Sequence, residues 1–171
     1  MPHSNQISRF FWLGFMDMYN SRSDKESHPP RFSKDLLENS PDYTVSRRIE
    51  QQLHSFGPSI QMFATLPSDD DPQLRLDVSF NIGRKSNPYA KHINRGRMHA
   101  LDQHREQIDT NYPLMDWDYQ PKGQCRVALH WDGDVGDPSQ WAEVYLWIAE
   151  NRQRLIEVLT PYIEDILQDE S

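Results

Sequence analysis

From Leu74 to Ile82 the chain alternates without a break: Leu74, Leu76, Val78, Phe80 and Ile82 against Gln73, Arg75, Asp77, Ser79 and Asn81. A two-residue repeat sends successive side chains to opposite faces of a strand, so one face is covered by protein while the other meets water. Such a ribbon is not stable alone; it demands partner strands and an apolar layer on its dry side. The flanking sequence supplies partners. Ile60, Met62 and Ala64 alternate in the same way, and the polar stretch from Pro67 to Pro72 between the two runs predicts an antiparallel hairpin. Met115, Trp117 and Tyr119, then Cys125, Val127, Leu129 and Trp131, repeat the pattern around the turn at Pro121 and Gly123, predicting a second hairpin.

The apolar layer is helical. Ile7, Phe10, Phe11, Gly14, Phe15 and Met18 recur at helical spacing and predict a helix over residues 7–19, capped by Ser4 or Asn5. Val45, Ile49, Leu53 and Phe56 predict another, stopped by Gly57 and Pro58, with a short helical turn at Leu36 and Leu37 before it. Asn87 and Pro88 read as a cap and first turn for a helix reaching Ile108 through Tyr89, Ile93, Ala100, Leu101 and His104. Gly96 inside it points to a close backbone contact. Asp137 and Pro138 open a last helix from Trp141 to Ile166, in which Pro161 predicts a kink or two consecutive helices with Thr160 capping the second. The expected fold is α+β, a four-stranded antiparallel sheet of two hairpins with helices packed on one face.

At 171 residues the chain is expected to form a single domain, 1–171, with a mobile loop at 21–33 where Ser, charge and a Pro-Pro pair crowd together. The net charge of −8 makes the average surface repel nucleic acid and anionic membrane. Cys125, the only cysteine, excludes an internal disulfide and any multi-cysteine zinc site and fits a reducing, cytoplasmic compartment. No apolar run approaches the ~20 residues that cross a bilayer, and no signal peptide is visible, so no membrane association is expected.

One segment departs from the acidic average. Arg84, Lys85, Lys91, Arg95, Arg97 and Arg105 face only Asp102, a surplus of five cations, with His92, His99 and His104 interleaved. They are the candidate nucleic-acid-binding residues, since paired cations near a helix start hold phosphate even on an acidic molecule. The competing reading is that this helix faces acidic neighbours, chiefly the last segment, where Asp132 to Glu170 holds ten acids and two arginines. Asp132, Asp134 and Asp137 lack EF-hand spacing, and Asp137 is better used as a helix cap, so no metal site is assigned. Asp77, Asp116 and Asp118 lack the acid-spacer-lysine partner of a restriction-type nuclease. Cys125 falls on a core face, where a free thiol behaves as a small hydrophobe. Trp12, Trp117, Trp131, Trp141 and Trp147 read mostly as core filling, with Trp147 off the buried line. No catalytic residue and no cofactor are assigned, and no cluster of reactive groups is expected to converge.

These residues together give the chain a resemblance to domain-of-unknown-function family 4268, an uncharacterised bacterial and archaeal domain. It is carried by Phe11, Trp12 and Phe15, the strand from Leu74 to Phe80, the helix from Leu101 to Ile108, and Met115 to Trp117 with Lys122. It continues through Val127 to Trp131 and the ending with Asp134, Asp137, Trp141, Trp147 and Pro161 to Ile163. Members look like accessory modules, often placed after a restriction-type nuclease domain, a portion this chain lacks. The resemblance implies a non-catalytic protein-binding or assembly module, an accessory of a prokaryotic defence or nucleic-acid-processing system. A protein partner or self-association is the leading expectation. The alternatives are a nucleic-acid-binding accessory subunit using residues 84–105 and a metal-dependent nuclease with an atypical site.

Overall fold

The computed structural model describes residues 4–22, 50–68, 73–83, 85–113, 115–120 and 124–171. Its elements are α1 (Ser4–Ser21), β1 (Glu50–Gly57), β2 (Ile60–Thr65), β3 (Arg75–Phe80), α2 (Ala90–Asp102), α3 (Arg105–Asn111), β4 (Asp116–Tyr119), β5 (Cys125–His130), a 3-10 turn (Pro138–Gln140) and α4 (Trp141–Asp169). The class is α+β, and both expected hairpins form, β2 with β3 and β4 with β5, each antiparallel. The sheet has five strands rather than four, in the order β1-β2-β3-β5-β4. Because β3 pairs with β5, the helical crossover delivers the chain to the far edge and β5 returns to fill the gap.

The additional strand is β1, which corrects the helix expected over residues 45–56; residues 45–49 lie outside the described ones. Gln51 and Leu53 are buried while Glu50 and Gln52 are exposed, a strand's alternation. Register shifts between Gln52 and His54 and between Ser55 and Gly57 then break that alternation. A bulge of this kind removes the period-2 signal and leaves an accidental helical spacing. Gly57, at φ 151°, and Ser59, at φ 57°, make the tight turn into β2, so the Gly-Pro pair ends a strand instead of a helix. Pairing with β1 also spares β2 from being an open edge. The loop expected at 21–33 falls outside the described residues except at its start, where the Ser21 hydroxyl donates to Met18 O at 2.8 Å and closes α1. The turn expected at Leu36 and Leu37 lies outside them too.

One sheet face is dry. Leu53, Ile60, Met62, Leu76, Val78, Phe80, Cys125 and Val127 join Phe11, Trp12 and Phe15 of α1, Met98 and Leu101 of α2, and Val144, Ile148, Leu155, Leu159 and Ile163 of α4 in one buried cluster. Each such side chain taken fully from water contributes about 1.5–3 kcal/mol. On α1 the buried ridge is Phe11, Trp12, Phe15 and Tyr19; Phe10, expected on it, is 61% exposed. Phe11 meets Trp12, Trp141 and Tyr145 edge-on, with centroids 4.9, 5.4 and 5.0 Å away. Gly14 permits this approach, since a Cβ there would press on the Tyr145 hydroxyl.

The single helix expected up to Ile108 is two helices, α2 and α3, separated at Gln103 and His104. No glycine or proline marks the break. Asp102 is instead held from outside the helix, accepting the Tyr119 hydroxyl at 2.6 Å and lying 2.6 Å from Arg105 Nε. Tyr89, expected on the buried face, is 67% exposed. A Cβ at Gly96 would find nothing within 4 Å, so no close contact accounts for this glycine. The Asp137 carboxylate accepts the Ser139 amide at 3.0 Å, as a helix-start cap should. Of the two outcomes expected at Pro161, two separate helices are excluded. α4 runs through it as one helix of 29 residues, and the Thr160 hydroxyl donates back to Ile156 O rather than capping a new start. No helix among the described residues is long and apolar enough to cross a membrane.

Two stability measurements test this packing. Gly14→Ala should lower stability by about 1–3 kcal/mol through overpacking, and in a Tyr145→Phe background, which removes the unpartnered hydroxyl, the loss should shrink. An equal loss in both backgrounds would place the strain elsewhere. Gly96→Ala should raise the stability of the single chain by up to about 1 kcal/mol, because within one chain only helix propensity changes there; chemical denaturation reads both.

Candidate functional site

The six basic residues singled out from the sequence do not act as one patch. Arg84 lies outside the described residues. Arg97 is buried and spent inside the protein: Nε and Nη2 donate to the two carboxylate oxygens of Glu170, each at 2.8 Å, and Nη1 donates to Pro58 O at 2.9 Å. Arg105 pairs with Asp102 and lies over the Trp117 ring, 4.7 Å from its centroid. The intramolecular reading of the charge run therefore holds for these two. Lys85, Lys91 and Arg95 are exposed and, among the described residues, have no ion pair. Lys91 and Arg95 lie four residues apart, with His92 and His99 beside them, on the exposed face of α2. Gly96 sits among them with open space above it.

The second feature is on the sheet face opposite the described helices. A cleft of about 150 Å³ is lined by Glu50, Phe63, Arg75, Asp77, Ser79, Asn81, Gln120, Gln124 and Arg126. Phe63 is its one apolar liner. Register brings these residues together: Asp77 stands between Phe63 and Ala128, Ser79 between Gln61 and Arg126, and Arg75 between Thr65 and His130. Asp77, only 3% exposed, accepts from Arg75 Nε at 2.8 Å and from the Ser79 hydroxyl at 2.7 Å. Arg126 lies 3.3 Å from Asp118, and His130 lies 3.8 Å from Asp116. Partial burial and then the nearby Asp77 charge push the Glu50 carboxyl above its usual range, with Arg75 pulling the other way. This convergence corrects the expectation that ionisable groups gather nowhere. Arg75, Asp77 and Ser79 are legible in the sequence as one outward face, but the strand that adds Glu50 carries a helical spacing of apolar residues.

The remaining candidates sit as follows. Asp116 and Asp118 lie on the same sheet face as the cleft, as alternation required. Among the described residues no three metal-ligating side chains come together. Cys125 is buried, and burial pushes its thiol up, so the thiolate needed of a nucleophile is disfavoured. His104 occupies the α2–α3 break and stacks on Tyr162 at 4.6 Å. Trp12 is fully buried; Trp117, Trp131, Trp141 and Trp147 are partly buried against the core, Trp147 edge-on to Trp131 at 5.6 Å.

The Arg97–Glu170 fork fastens the end of α4 and the β1–β2 turn to α2, and it holds the Glu170 carboxyl below its ordinary value of 4.5. A carboxyl lowered by folding stabilises above its unfolded value and loses that contribution as pH falls through the lowered one. Glu170→Gln should therefore cost about 1 kcal/mol at neutral pH, solvent at this half-open pair keeping the value small. The gap to the parent should hold down to roughly pH 5 and close below pH 4, read by thermal unfolding across pH; a gap that persists into acid would refute the ionic origin. No protein-family model, no curated protein and no solved structure matches this chain.

Proposed function

We propose that the protein is a non-catalytic binding and assembly module in which the exposed basic face of α2 docks on the acidic side of α4 in a second copy. The observation that carries this reading is Gly96. It costs helix stability, has nothing packed above it, and is surrounded by Lys91, His92, Arg95 and His99. A glycine kept on such a face lets another chain approach the helix backbone closely. The matching surface is on the same chain: Glu143, Glu150, Glu157 and Glu164 recur every seven residues and are all exposed. Among the described residues none of the four has an ion pair. A seven-residue repeat drifts only ~20° per step around an α-helix, so the four acids keep to one side. Two different faces meeting head to tail either close into a ring or grow.

The resemblance to family 4268 supports an accessory role, in a prokaryotic defence or nucleic-acid-processing assembly, and the single buried thiol is in keeping with the cytoplasm. A second reading has its own observation. Tyr89, 67% exposed, stands beside Lys91 and could stack a base while Lys85, Lys91 and Arg95 hold phosphates.

Light scattering distinguishes the two. Association should be strong at low salt and weaken near 0.5 M, where charges are screened beyond ~4 Å. Lys91→Glu with Arg95→Glu, and separately Glu150→Lys with Glu157→Lys, should each give monomers, and each retains one native face. Mixed, the two variants should associate again, because the native basic face of the second still fits the native acidic face of the first; mixed variants that stay monomeric would refute this pairing of faces. Monomers of the parent at every concentration, with salt-dependent DNA binding lost in Lys91→Glu/Arg95→Glu, would replace self-assembly by the nucleic-acid reading.

A further inference from the structure

We propose that the cleft on the sheet face opposite the described helices is a binding site for a small primary alkylammonium group, with Glu50 as its counter-ion. Among the described residues both arginines of the lining have a carboxylate partner. Arg75 is held by Asp77 at 2.8 Å and Arg126 by Asp118 at 3.3 Å. Among the described residues Glu50 makes no hydrogen bond or ion pair, so it is the lining carboxylate left without a paired cation, although the lining as a whole holds two acids and two arginines. An anion would have to displace a carboxylate from an arginine; a cation displaces nothing.

Three further features fit the same ligand. Thr65 is 8% exposed, yet its hydroxyl has no hydrogen-bond partner. Its register neighbours are Glu50 on β1 and Arg75 on β3, both cleft residues, so its side chain is on the cleft's face, buried beside the lining, and its unpartnered oxygen accepts an N–H once the exposed Glu50 side chain swings aside. An ammonium group brings three such donors and no acceptor. Phe63 gives the methylene chain an apolar surface and the cation a ring face. The volume also limits the guest: liquid water takes about 30 Å³ per molecule, so roughly five non-hydrogen atoms fill the space. A nucleotide is too large, whereas a short amine or the end of a lysine side chain is the right size. Partial burial beside Asp77 strains the Glu50 carboxylate, and a bound cation relieves that strain.

The test follows backbone amide shifts of the full chain during titration with n-butylammonium, with n-butyrate and n-butanol as charge-reversed and neutral isosteres. Nα-acetyl-lysine methylamide represents a peptide-borne amine. The amides of Glu50, Thr65, Arg75 and Gln124 should move saturably with n-butylammonium and not with the isosteres. Tighter binding of the acetyl-lysine amide than of n-butylammonium would assign the guest to a protein side chain, the reverse order to a free amine. Glu50→Gln should weaken the response at least about tenfold, as loss of a charge-assisted contact does. It should fold at least as well as the parent, because it removes a charge that Asp77 repels. Glu106→Gln, which deletes an exposed carboxylate on α3, should leave binding unchanged. Saturable binding of n-butyrate at the same amides, equal n-butylammonium affinity in Glu50→Gln, or no saturable response at all would overturn the assignment.

Discussion

Arg152 is completely buried in the middle of α4, and its surroundings constrain everything near it. Its Nε donates to Leu53 O of β1 at 2.9 Å, Nη1 donates to the Tyr19 hydroxyl of α1 at 3.4 Å, and its guanidinium lies 5.8 Å from the Tyr19 ring centroid. A guanidinium removed from water costs several kcal/mol unless its donors find acceptors in good geometry. The last helix, the first helix and the first strand must therefore meet at one place and one angle. Apolar burial would tolerate sliding among these elements; a fork of N–H groups does not.

The cleft is a consequence of that anchoring. Leu53 lies on the bulged strand, and fixing its carbonyl from the helix side fixes which way the neighbouring side chains project on the other side. Glu50, three residues earlier, then stands opposite Thr65 and joins Arg75 and Asp77 across the sheet. Opposite faces of α2 show a similar division of labour. Arg97 faces inward and holds Glu170 and the β1–β2 turn, while Lys91 and Arg95 face outward and hold nothing within the described chain. The basic run reads as one feature in sequence, but helical geometry splits it between cohesion and recognition.

Much of the architecture was legible. The alternation from Leu74 to Ile82 and around Val127 identified the central strands, because the sheet face they cover is uninterrupted there and the period survives. Asp137 was legible as a cap, because capping is settled by neighbours in sequence. The failures share a cause. β1 carries two irregularities and a polar buried residue, Gln51, so its pattern is lost unless β2 is already known to lie alongside. The α2–α3 break carries no glycine or proline, and Asp102 beside it meets Tyr119, 17 residues away. The site was half legible: Arg75, Asp77 and Ser79 share a face by alternation, but nothing local adds Glu50, Gln120 or Gln124 to them.

What the sequence determined by itself was therefore the set of short-range decisions: which segments alternate, which repeat at helical spacing, where a proline or aspartate starts a turn, and how charge is distributed along the chain. Those depend on contacts within about one turn or one hairpin. Tertiary structure alone decided the fifth strand, the fate of each arginine in the basic segment, and the carboxylate left unpaired in the cleft. Each of these turns on a partner far along the chain, as with Arg97 and Glu170, 73 residues apart, and a free charge is defined only once every possible partner has been placed.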